Sequence, residues 1–257
     1  MTRIRYAPGA SVVLLGLWQA VVWLTQAPPF ILPSPLLVAT AAWENRLTLM
    51  SHASITFLEV VLGLVIGATL GAVAGVQLTW SDRLHRLIMP ILVFTQAAPF
   101  FVLAPILTLW LGYGIASKVM MAVLIIFFPV TSAFYDGLNR VPSGFLDLAD
   151  TMCATRYQVM LRIRIPHAMP SLGTGLKLAA VYAPIGAVIG EWVGASRGLG
   201  YLMLLANGRA KTDLMFASLF VLALMAIVLH LVVAAFARYL ERDAGVGSRS
   251  LDSTRMT

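Results

Sequence analysis

Apolar runs long enough to cross a membrane recur along this chain, and they restrict its fold more than any other feature. A transmembrane helix needs roughly 20 consecutive, mostly apolar residues. The chain is 60% hydrophobic and only 11% charged, whereas soluble domains carry ~25% charged residues. Because so little polar surface is available, the sequence predicts an all-α polytopic membrane protein. A transmembrane barrel is excluded, since barrels consist of short segments of alternating polarity that this sequence lacks.

Six segments are predicted to cross the membrane, with polar or glycine-containing connections between them. A proline-rich stretch after the first segment leads into a short amphipathic region, which predicts an interfacial helix over residues 35–46. The whole chain, 1–257, is expected to form one transmembrane domain, with turns at 80–86 and 111–117 and a loop at 194–213. The predicted spans are residues 10–25, 55–78, 87–109, 118–134, 171–193 and 214–237.

The distribution of Lys and Arg predicts the orientation, because cytoplasmic loops of membrane proteins carry an excess of these residues. With both termini in the cytoplasm, twelve Arg residues lie on the inner side and five basic residues on the outer side. This asymmetry accounts for the net charge of +7 without a nucleic-acid partner. It also places the polar insert 135–170 in the cytoplasm. The outer basic residues are Arg46, Lys118, Arg197, Arg209 and Lys211.

A cleaved signal peptide is the alternative for the first span. Arg3 and Arg5 precede its apolar run, as they would in a signal sequence. Pro28, which follows the run closely, makes a poor cleavage site, so a retained span is favoured.

The 135–170 insert predicts two short helices that meet at an angle. Residues 145–152 place three apolar side chains on one helical face, at the spacing that a helix requires. A small residue at 153 permits a tight turn, and residues 157–165 form the second helix, which prolines at 166 and 170 are expected to end. Such a knob fits a groove on another protein. The residues in this pattern are Phe145, Leu148, Met152, Cys153, Pro166 and Pro170.

The insert resembles the EAA loop of binding-protein-dependent ABC importer permeases, whose pattern is E-A-A-x3-G-x9-I-x-L-P. Asp147 occupies the Glu position, and the following motif residues fall in register across all nine intervening positions. Cys153 stands at the Gly position, where a glycine with positive φ could not be replaced without strain. Either the turn here is not left-handed, or coupling is altered. The residues that the resemblance assigns to ATPase coupling are Asp147, Ala149, Cys153, Arg156, Ile163, Ile165 and Pro166.

The resemblance covers nearly the whole chain. The sequence LPSP at 32–35 and the segments 96–118 and 198–217 are similar to permeases that serve sulfonates, taurine, nitrate and thiamine precursors. Within that family, PVTSAFYDGL and APIGAVIGEWVG look closest to permeases for the thiamine precursor hydroxymethylpyrimidine. This subgroup implies hydroxymethylpyrimidine or a related thiamine precursor as cargo, and a sulfonate, taurine or nitrate is the alternative.

The resemblance also implies a type I ABC importer fold in the inner membrane of a bacterium, in contact with membrane lipid. A second copy of the chain, a cytoplasmic ATPase dimer and a periplasmic or lipid-anchored binding protein are the expected partners; a heterodimeric permease remains open. No G-x-x-x-x-G-K-[ST] phosphate loop occurs in the sequence, so ATP and Mg²⁺ are expected on the partner ATPase. The chain itself is expected to bind no cofactor and to catalyse no reaction.

Polar residues inside the predicted spans are candidates for the translocation path, because an intramembrane carboxylate is costly and usually marks a functional site. Glu59 either lines the path, lies near the outer interface or bonds to a neighbouring helix. Gln96 either lines the path or joins two helices, and the resemblance places Glu191 beside the pore helix. Pro184, which follows Tyr182 closely, predicts a kink that is either static or suited to gating. Glu59, Gln96 and Glu191 are expected to be too scattered for catalysis, and the four His residues lack metal-ligand spacing.

Two other classes of protein compete with the importer permease. An integral membrane enzyme would need a constellation of catalytic groups that the sequence does not offer. A channel or secondary carrier would work without ATP and would have no use for a cytoplasmic docking knob. The knob therefore favours the importer permease.

Overall fold

The structure is a computed structural model that describes residues 7–97 and 99–243, with side chains described for 13–94 and 99–242. Every regular element in these ranges is helical, as the composition predicts. A π-helical segment, Met160–Arg164, joins α8 to α9 without a break. The helices are α1 (Ala7–Thr25), α2 (Pro35–Glu44), α3 (Arg46–Trp80), α4 (Asp82–Ala97), α5 (Phe100–Leu111), α6 (Ile115–Asn139), α7 (Ser143–Thr151), α8 (Arg156–Val159), α9 (Ile165–Trp192), α10 (Leu199–Gly208) and α11 (Thr212–Asp243).

Several helices are candidates for crossing a membrane. Within the described ranges, four continuous helices are long and apolar enough to cross by themselves: α3, α6, the helix Arg156–Trp192 and α11. The predicted first span corresponds to the shorter α1. The span predicted over 87–109 is divided into α4 and α5, so that boundary prediction was wrong. Pro99 precedes α5, and proline both lacks an N–H group and disfavours helical backbone in the residue before it.

Helix α6 is the centre of the bundle and packs between α3 and α9. Four glycines of α3, at every fourth position, form the contact with α6. Without side chains at these positions the two backbones can approach closely, which is a common basis of helix association in membranes. On α6 these glycines face Ala122, Ile126, Val130 and Phe134, in that order; the glycines are Gly63, Gly67, Gly71 and Gly75.

Ala122 marks the tightest point of this packing, because glycines from two helices contact it. Gly63 of α3 lies on one side. On the other side Gly186 of α9 lies so close that a Cβ atom built on it would stand 2.6 Å from the Cα of Ala122. The three helices therefore cross with no spare volume at this level.

Three local expectations require correction. Helix α4 begins at Asp82, so the predicted turn 80–86 is reduced to Ser81. The predicted loop 194–213 contains α10, whose apolar side chains are buried against α3 and α11. Helix α9 continues through Pro166 and Pro170 instead of ending there.

The course of the chain around Pro166 explains why the helix does not end. In the π-helical turn just before it, the N–H of Ile165 donates to the carbonyl of Met160, five residues back. This wider turn precedes Pro166, which has no N–H to donate and therefore fits the start of the regular helix. The helix predicted over 35–46 is confirmed as α2, with Ser34 at its N-cap and Pro35 at its first position; its location at the membrane interface stays a prediction.

Candidate functional site

Two regions at opposite ends of α9 carry the residues of interest. One is the 143–166 segment, which contains α7, α8 and the π-helical turn. The other is a buried polar cluster of Thr56, Glu59, Lys118 and Glu191. A helix rises ~1.5 Å per residue, so the 28 residues of α9 separate these regions by ~40 Å.

Helix α7 presents the apolar face that its spacing predicts. Phe145, Leu148 and Met152 are 48%, 57% and 73% exposed, and they lie on the same side of the helix. Asp147 is exposed beside them, whereas Ala149 is buried against the rest of the segment. The helix therefore uses Ala149 to pack on its own chain and leaves three large apolar side chains uncovered.

Cys153 adopts the left-handed conformation, with φ of 51°. Its N–H donates to the carbonyl of Asp150, and the N–H of Ala154 donates to the carbonyl of Ala149, both at 2.9 Å. This pair of bonds is the Schellman motif, which usually places glycine where Cys153 stands. The sequence left two possibilities, a turn that is not left-handed or altered coupling, and the first of these is wrong. The cysteine carries a conformational cost of ~1–2 kcal/mol.

Helix α8 starts at a capping box that fixes its direction. The Thr155 hydroxyl accepts from the N–H of Gln158, and the Gln158 side chain accepts from the N–H of Thr155. Arg156 follows and is exposed. Because both ends of the turn between α7 and α8 are hydrogen-bonded, the two helices hold a defined angle.

A groove of about 370 Å³ lies between α7 and α8. Ile163 lines it, whereas Ile165 and Pro166 are half-buried farther along the chain. Ile165 packs against a cluster that includes Phe134 and Leu138 of α6. The groove is bordered by Phe145, Leu148, Ala149, Met152, Ala154, Gln158, Val159, Arg162 and Ile163.

Arg164 ties the 143–166 segment to the end of α6. Its guanidinium donates to the Leu138 carbonyl at 3.3 Å and to the Asn139 side chain at 3.1 Å. Together with the packing of Ile165, these bonds attach the segment firmly to the membrane-spanning bundle. A force on the exposed face of α7 would therefore be transmitted to α6 and α9.

At the other end of α9, Glu191 accepts hydrogen bonds at both carboxylate oxygens. The Thr56 hydroxyl donates to Oε1 at 2.6 Å, and the N–H of Gly200 donates to Oε2. Thr56 in turn accepts from the N–H of Leu199 at 2.8 Å. These contacts satisfy free N–H groups at the start of α10, where a carboxylate is also favoured by the helix dipole.

Glycines make room for the Glu191 carboxylate. Gly198 has φ of 113°, and a Cβ atom on it would collide with the carboxylate of Glu191. A Cβ on Gly200 would stand 2.8 Å from Oε2 of the same group. His52 supports the loop from α3, since its Nδ1 lies 2.9 Å from the N and 3.0 Å from the O of Gly198.

Lys118 is part of the cluster and is buried, although it was counted among the basic residues of the outer side. It is 1% exposed, and its Nζ donates to the carbonyls of Tyr113 and Gly194, at 2.8 and 3.2 Å. It also attracts Glu59 and Glu191, which are 3% and 1% exposed. The expectation that the two glutamates are scattered was therefore wrong. A lysine at the start of an apolar span with two intramembrane acids was the missed signal.

The other path candidates lie elsewhere. Tyr182 is partly exposed on α9, beside Val181 and Ile185, whereas Pro184 is buried against the bundle. Gln96 belongs to α4, but its side chain lies outside the described residues. That these residues, Glu59 and Glu191 line a translocation path stays a prediction. Within the described ranges, no three His, Cys, Asp or Glu side chains are grouped as metal ligands.

Comparisons with known proteins agree on one family. Residues 63–246 match the family described as binding-protein-dependent transport system inner membrane component. A probable ABC transporter permease protein of Haemophilus influenzae is 46% identical over 218 residues, which are 85% of this chain and 89% of that protein. The formylaminopyrimidine transport permease protein ThiX of Halalkalibacterium halodurans is 36% identical over 220 residues, or 84% of this chain and 88% of that protein.

The fold is also found in a solved structure. A chain of the MetNI methionine ABC transporter, in an inward-facing conformation, aligns with a TM-score of 0.59 and 20% identity. The alignment covers 81% of this chain and 98% of that chain. At this identity the likeness concerns the fold alone. It confirms the predicted all-α, type I ABC importer permease architecture.

Proposed function

The chain belongs to the family of binding-protein-dependent transport system inner membrane components, and we propose that it imports a thiamine precursor with energy from a partner ATPase. ATP and Mg²⁺ bind to that ATPase, which docks on the 143–166 segment. A binding protein delivers cargo to the opposite end of the bundle. Both termini and the 143–166 segment face the cytoplasm, and the chain lies in the inner membrane.

The exposed face of α7 is the observation that supports ATPase docking most directly. Phe145, Leu148 and Met152 form an apolar surface on a segment that is hydrogen-bonded to the bundle. Burying a side chain of this size stabilises a complex by about 1.5–3 kcal/mol. Asp147 and Arg156 are exposed nearby and supply the polar rim that interfaces usually have.

The continuous helix Arg156–Trp192 is the element that would transmit movement of the ATPase. It contains α8, the π-helical turn and α9, and it reaches from the docking face to the polar cluster. A rigid helix that crosses the whole bundle converts a displacement at one end into rotation or translation at the other. Alternating access then follows from rigid-body movement of α9 together with α6, to which it is packed.

A second copy of the chain completes the translocation path. The side of α9 that faces away from α6 carries Leu178, Val181, Tyr182 and Ile185, all exposed in the single chain. Helix α5 adds Phe101, Leu109 and Trp110 to the uncovered apolar surface. We assign the Tyr182 side of α9 to the path between the two copies, and lipid covers the remaining apolar faces.

For the cargo, the similarity to ThiX favours a substituted pyrimidine. That relative is named for formylaminopyrimidine, and it matches this chain over most of both lengths. Hydroxymethylpyrimidine has the same ring and is the thiamine precursor that the subgroup resemblance implies. A sulfonate, taurine or nitrate is the competing cargo.

The docking assignment is tested by co-purification of the protein with its native membrane partners. Wild type is compared with Asp147→Arg, and Glu44→Arg is the matched control, since Glu44 is an exposed acid on α2, outside the docking segment. We expect an ATPase to co-purify with wild type and with Glu44→Arg, and to be lost with Asp147→Arg. If no ATPase accompanies wild type, the protein is a channel or secondary carrier.

The cargo is tested on the binding protein that co-purifies. Its thermal stability is measured with hydroxymethylpyrimidine, formylaminopyrimidine, taurine, an alkyl sulfonate and nitrate. We expect one of the pyrimidines to raise the unfolding temperature and the anions to have no effect. Stabilisation by taurine, a sulfonate or nitrate alone would replace the pyrimidine assignment without affecting the docking assignment.

A further inference from the structure

We propose that the polar cluster of Thr56, Glu59, Lys118 and Glu191 is a buried proton-binding site, with the proton on Glu59, and that it positions α10 across the outer ends of α3 and α9. The cluster is the one place where charges of opposite sign are buried together among the described side chains. That this end of the bundle is the outer one follows from the proposed function. The location of the proton follows from the hydrogen bonds alone.

Glu191 is the ionised member of the pair of acids. Its Oε1 accepts from the Thr56 hydroxyl, and its Oε2 accepts from the backbone N–H of Gly200. A protonated carboxyl would turn an O–H group toward one of these donors and lose that bond. Charge-assisted hydrogen bonds of this kind are stronger than neutral ones, so the ionised form is favoured.

Glu59 has the opposite environment. Its Oε2 is buried and receives no hydrogen bond from any described residue. Glu59 lies one helical turn after Thr56, whose hydroxyl bonds Glu191, so the two buried carboxyls lie on the same side of α3. Two ionised carboxylates buried side by side would repel each other, whereas one proton between them makes a hydrogen bond. Since Glu191 already accepts from two donors, the proton resides on Glu59 and is donated to Glu191.

Lys118 balances the remaining charge. With a proton on Glu59, the cluster contains one carboxylate and one ammonium and is neutral overall. Without that proton it would have a net charge of −1 in a fully buried space, which is strongly unfavourable. The Lys118 ammonium is held by two backbone carbonyls, from Tyr113 and Gly194, so it joins the loop before α6 to the loop after α9.

Few charged or titratable side chains lie around Glu59. Helix α6 contributes Lys118, α9 contributes Glu191, and α3 itself contributes His52, which is stacked on Tyr201 of α10. Arg197, in the loop before α10, is exposed.

The start of α10 is held by Glu191, Thr56 and His52 at once. Opening of the outer end requires these bonds to break, and exposed Glu59 then releases its proton.

The two acids are predicted to respond differently to the same conservative change. In Glu59→Gln the amide replaces a neutral carboxyl and still donates to Glu191, so the unfolding temperature in detergent should stay close to that of wild type. In Glu191→Gln the amide NH₂ group faces a buried donor, which loses its acceptor. The unfolding temperature should then fall clearly below that of wild type.

Lys118→Met provides the matched test of charge balance. We expect a lower unfolding temperature from the single variant, partial recovery in Lys118→Met/Glu191→Gln, and no recovery in Lys118→Met/Glu59→Gln. Recovery through Glu59→Gln, together with a lower unfolding temperature of Glu59→Gln alone, would make Glu59 the ionised acid and overturn the proposal.

Infrared difference spectroscopy of the purified permease detects the proton directly and requires no ATPase. A protonated carboxylic acid has a carbonyl band that is absent in Glu59→Gln and retained in Glu191→Gln. Absence of this band from wild type would refute the proton site. If wild-type vesicles show no ATP-driven uptake although the band is present, the proposed function fails and the proton site stands.

Discussion

At each end of α9, the polarity of the groups of interest is the opposite of the polarity of the surrounding sequence. The 143–166 segment lies in the most polar part of the chain, yet its outward face is apolar and uncovered. The end near Glu191 lies among apolar spans, yet it contains two acids and a lysine that are fully buried. One end leaves apolar side chains uncovered, whereas the other buries its charges and most of their hydrogen-bonding groups within the chain.

This difference separates the roles of the two ends. An apolar face that is uncovered in the single chain gains free energy only when a partner binds, so it can attach and detach. Buried charges are stable only while all their partners are present, so they favour one arrangement of the helices over its alternatives. In an importer the first property suits the ATPase side and the second suits a closed outer side.

The largest effect is expected from adding a methyl group at the buried end. Gly198→Ala introduces a Cβ into the Glu191 carboxylate at a backbone φ of 113°. Overpacking and the strained backbone each cost about 1–3 kcal/mol, and together we expect a loss of about 4 kcal/mol. Thermal unfolding in detergent is the measurement. Gly208→Ala, also in α10 and with nothing within 4 Å, should unfold like wild type.

A slightly smaller loss is expected from Gly186→Ala, in the packing that connects the two ends. The new Cβ would meet the Cα and N of Ala122 at 2.6 and 3.0 Å, and backbone atoms cannot turn away as a side chain can. We expect about 3 kcal/mol of destabilisation. Gly144→Ala, which meets nothing within 4 Å, is the control. Equal stability of the two variants would contradict the close approach of α6 and α9.

Leu148→Ala tests whether the exposed end acts only through its partner. Because the side chain is exposed, the free permease should keep its unfolding temperature, whereas binding to the ATPase should weaken by about 2 kcal/mol. Affinity is measured by titrating the purified ATPase. Leu36→Ala, at a more exposed leucine on α2 at the other end, should bind normally. Destabilisation of the free permease would show that the face packs within the chain.

The smallest effect is expected at the left-handed turns, one near each end. Cys153→Gly and Ala210→Gly both relieve a positive φ, of 51° and 54°, and each should stabilise the permease by about 1 kcal/mol. The turn at Ala210, which ends α10, has the same pair of backbone hydrogen bonds as the turn at Cys153. Ala210→Gly is therefore the control for the effect of the turn geometry. Lower ATP-driven uptake in Cys153→Gly alone would assign the cysteine a role in coupling beyond its conformation.

The elements that could be predicted from sequence are those with local causes. The apolar face of α7 follows from the spacing of Phe145, Leu148 and Met152, and α2 follows from Ser34 and Pro35. The end of the second helix in the insert was mispredicted because Pro166 usually terminates a helix. A π-helical turn accommodated it instead, and such turns have no simple sequence signature.

The sequence by itself determined the all-α membrane class, the family and the position of the exposed apolar face of α7, because span length and helical spacing depend on neighbouring residues. Only the tertiary structure decided that Glu59, Lys118 and Glu191 form one cluster and that Glu191 holds α10. Thr56 and Glu191 are 135 positions apart. Their contact exists because the glycines of α3 and α9 bring both helices against α6, and no local pattern encodes that meeting.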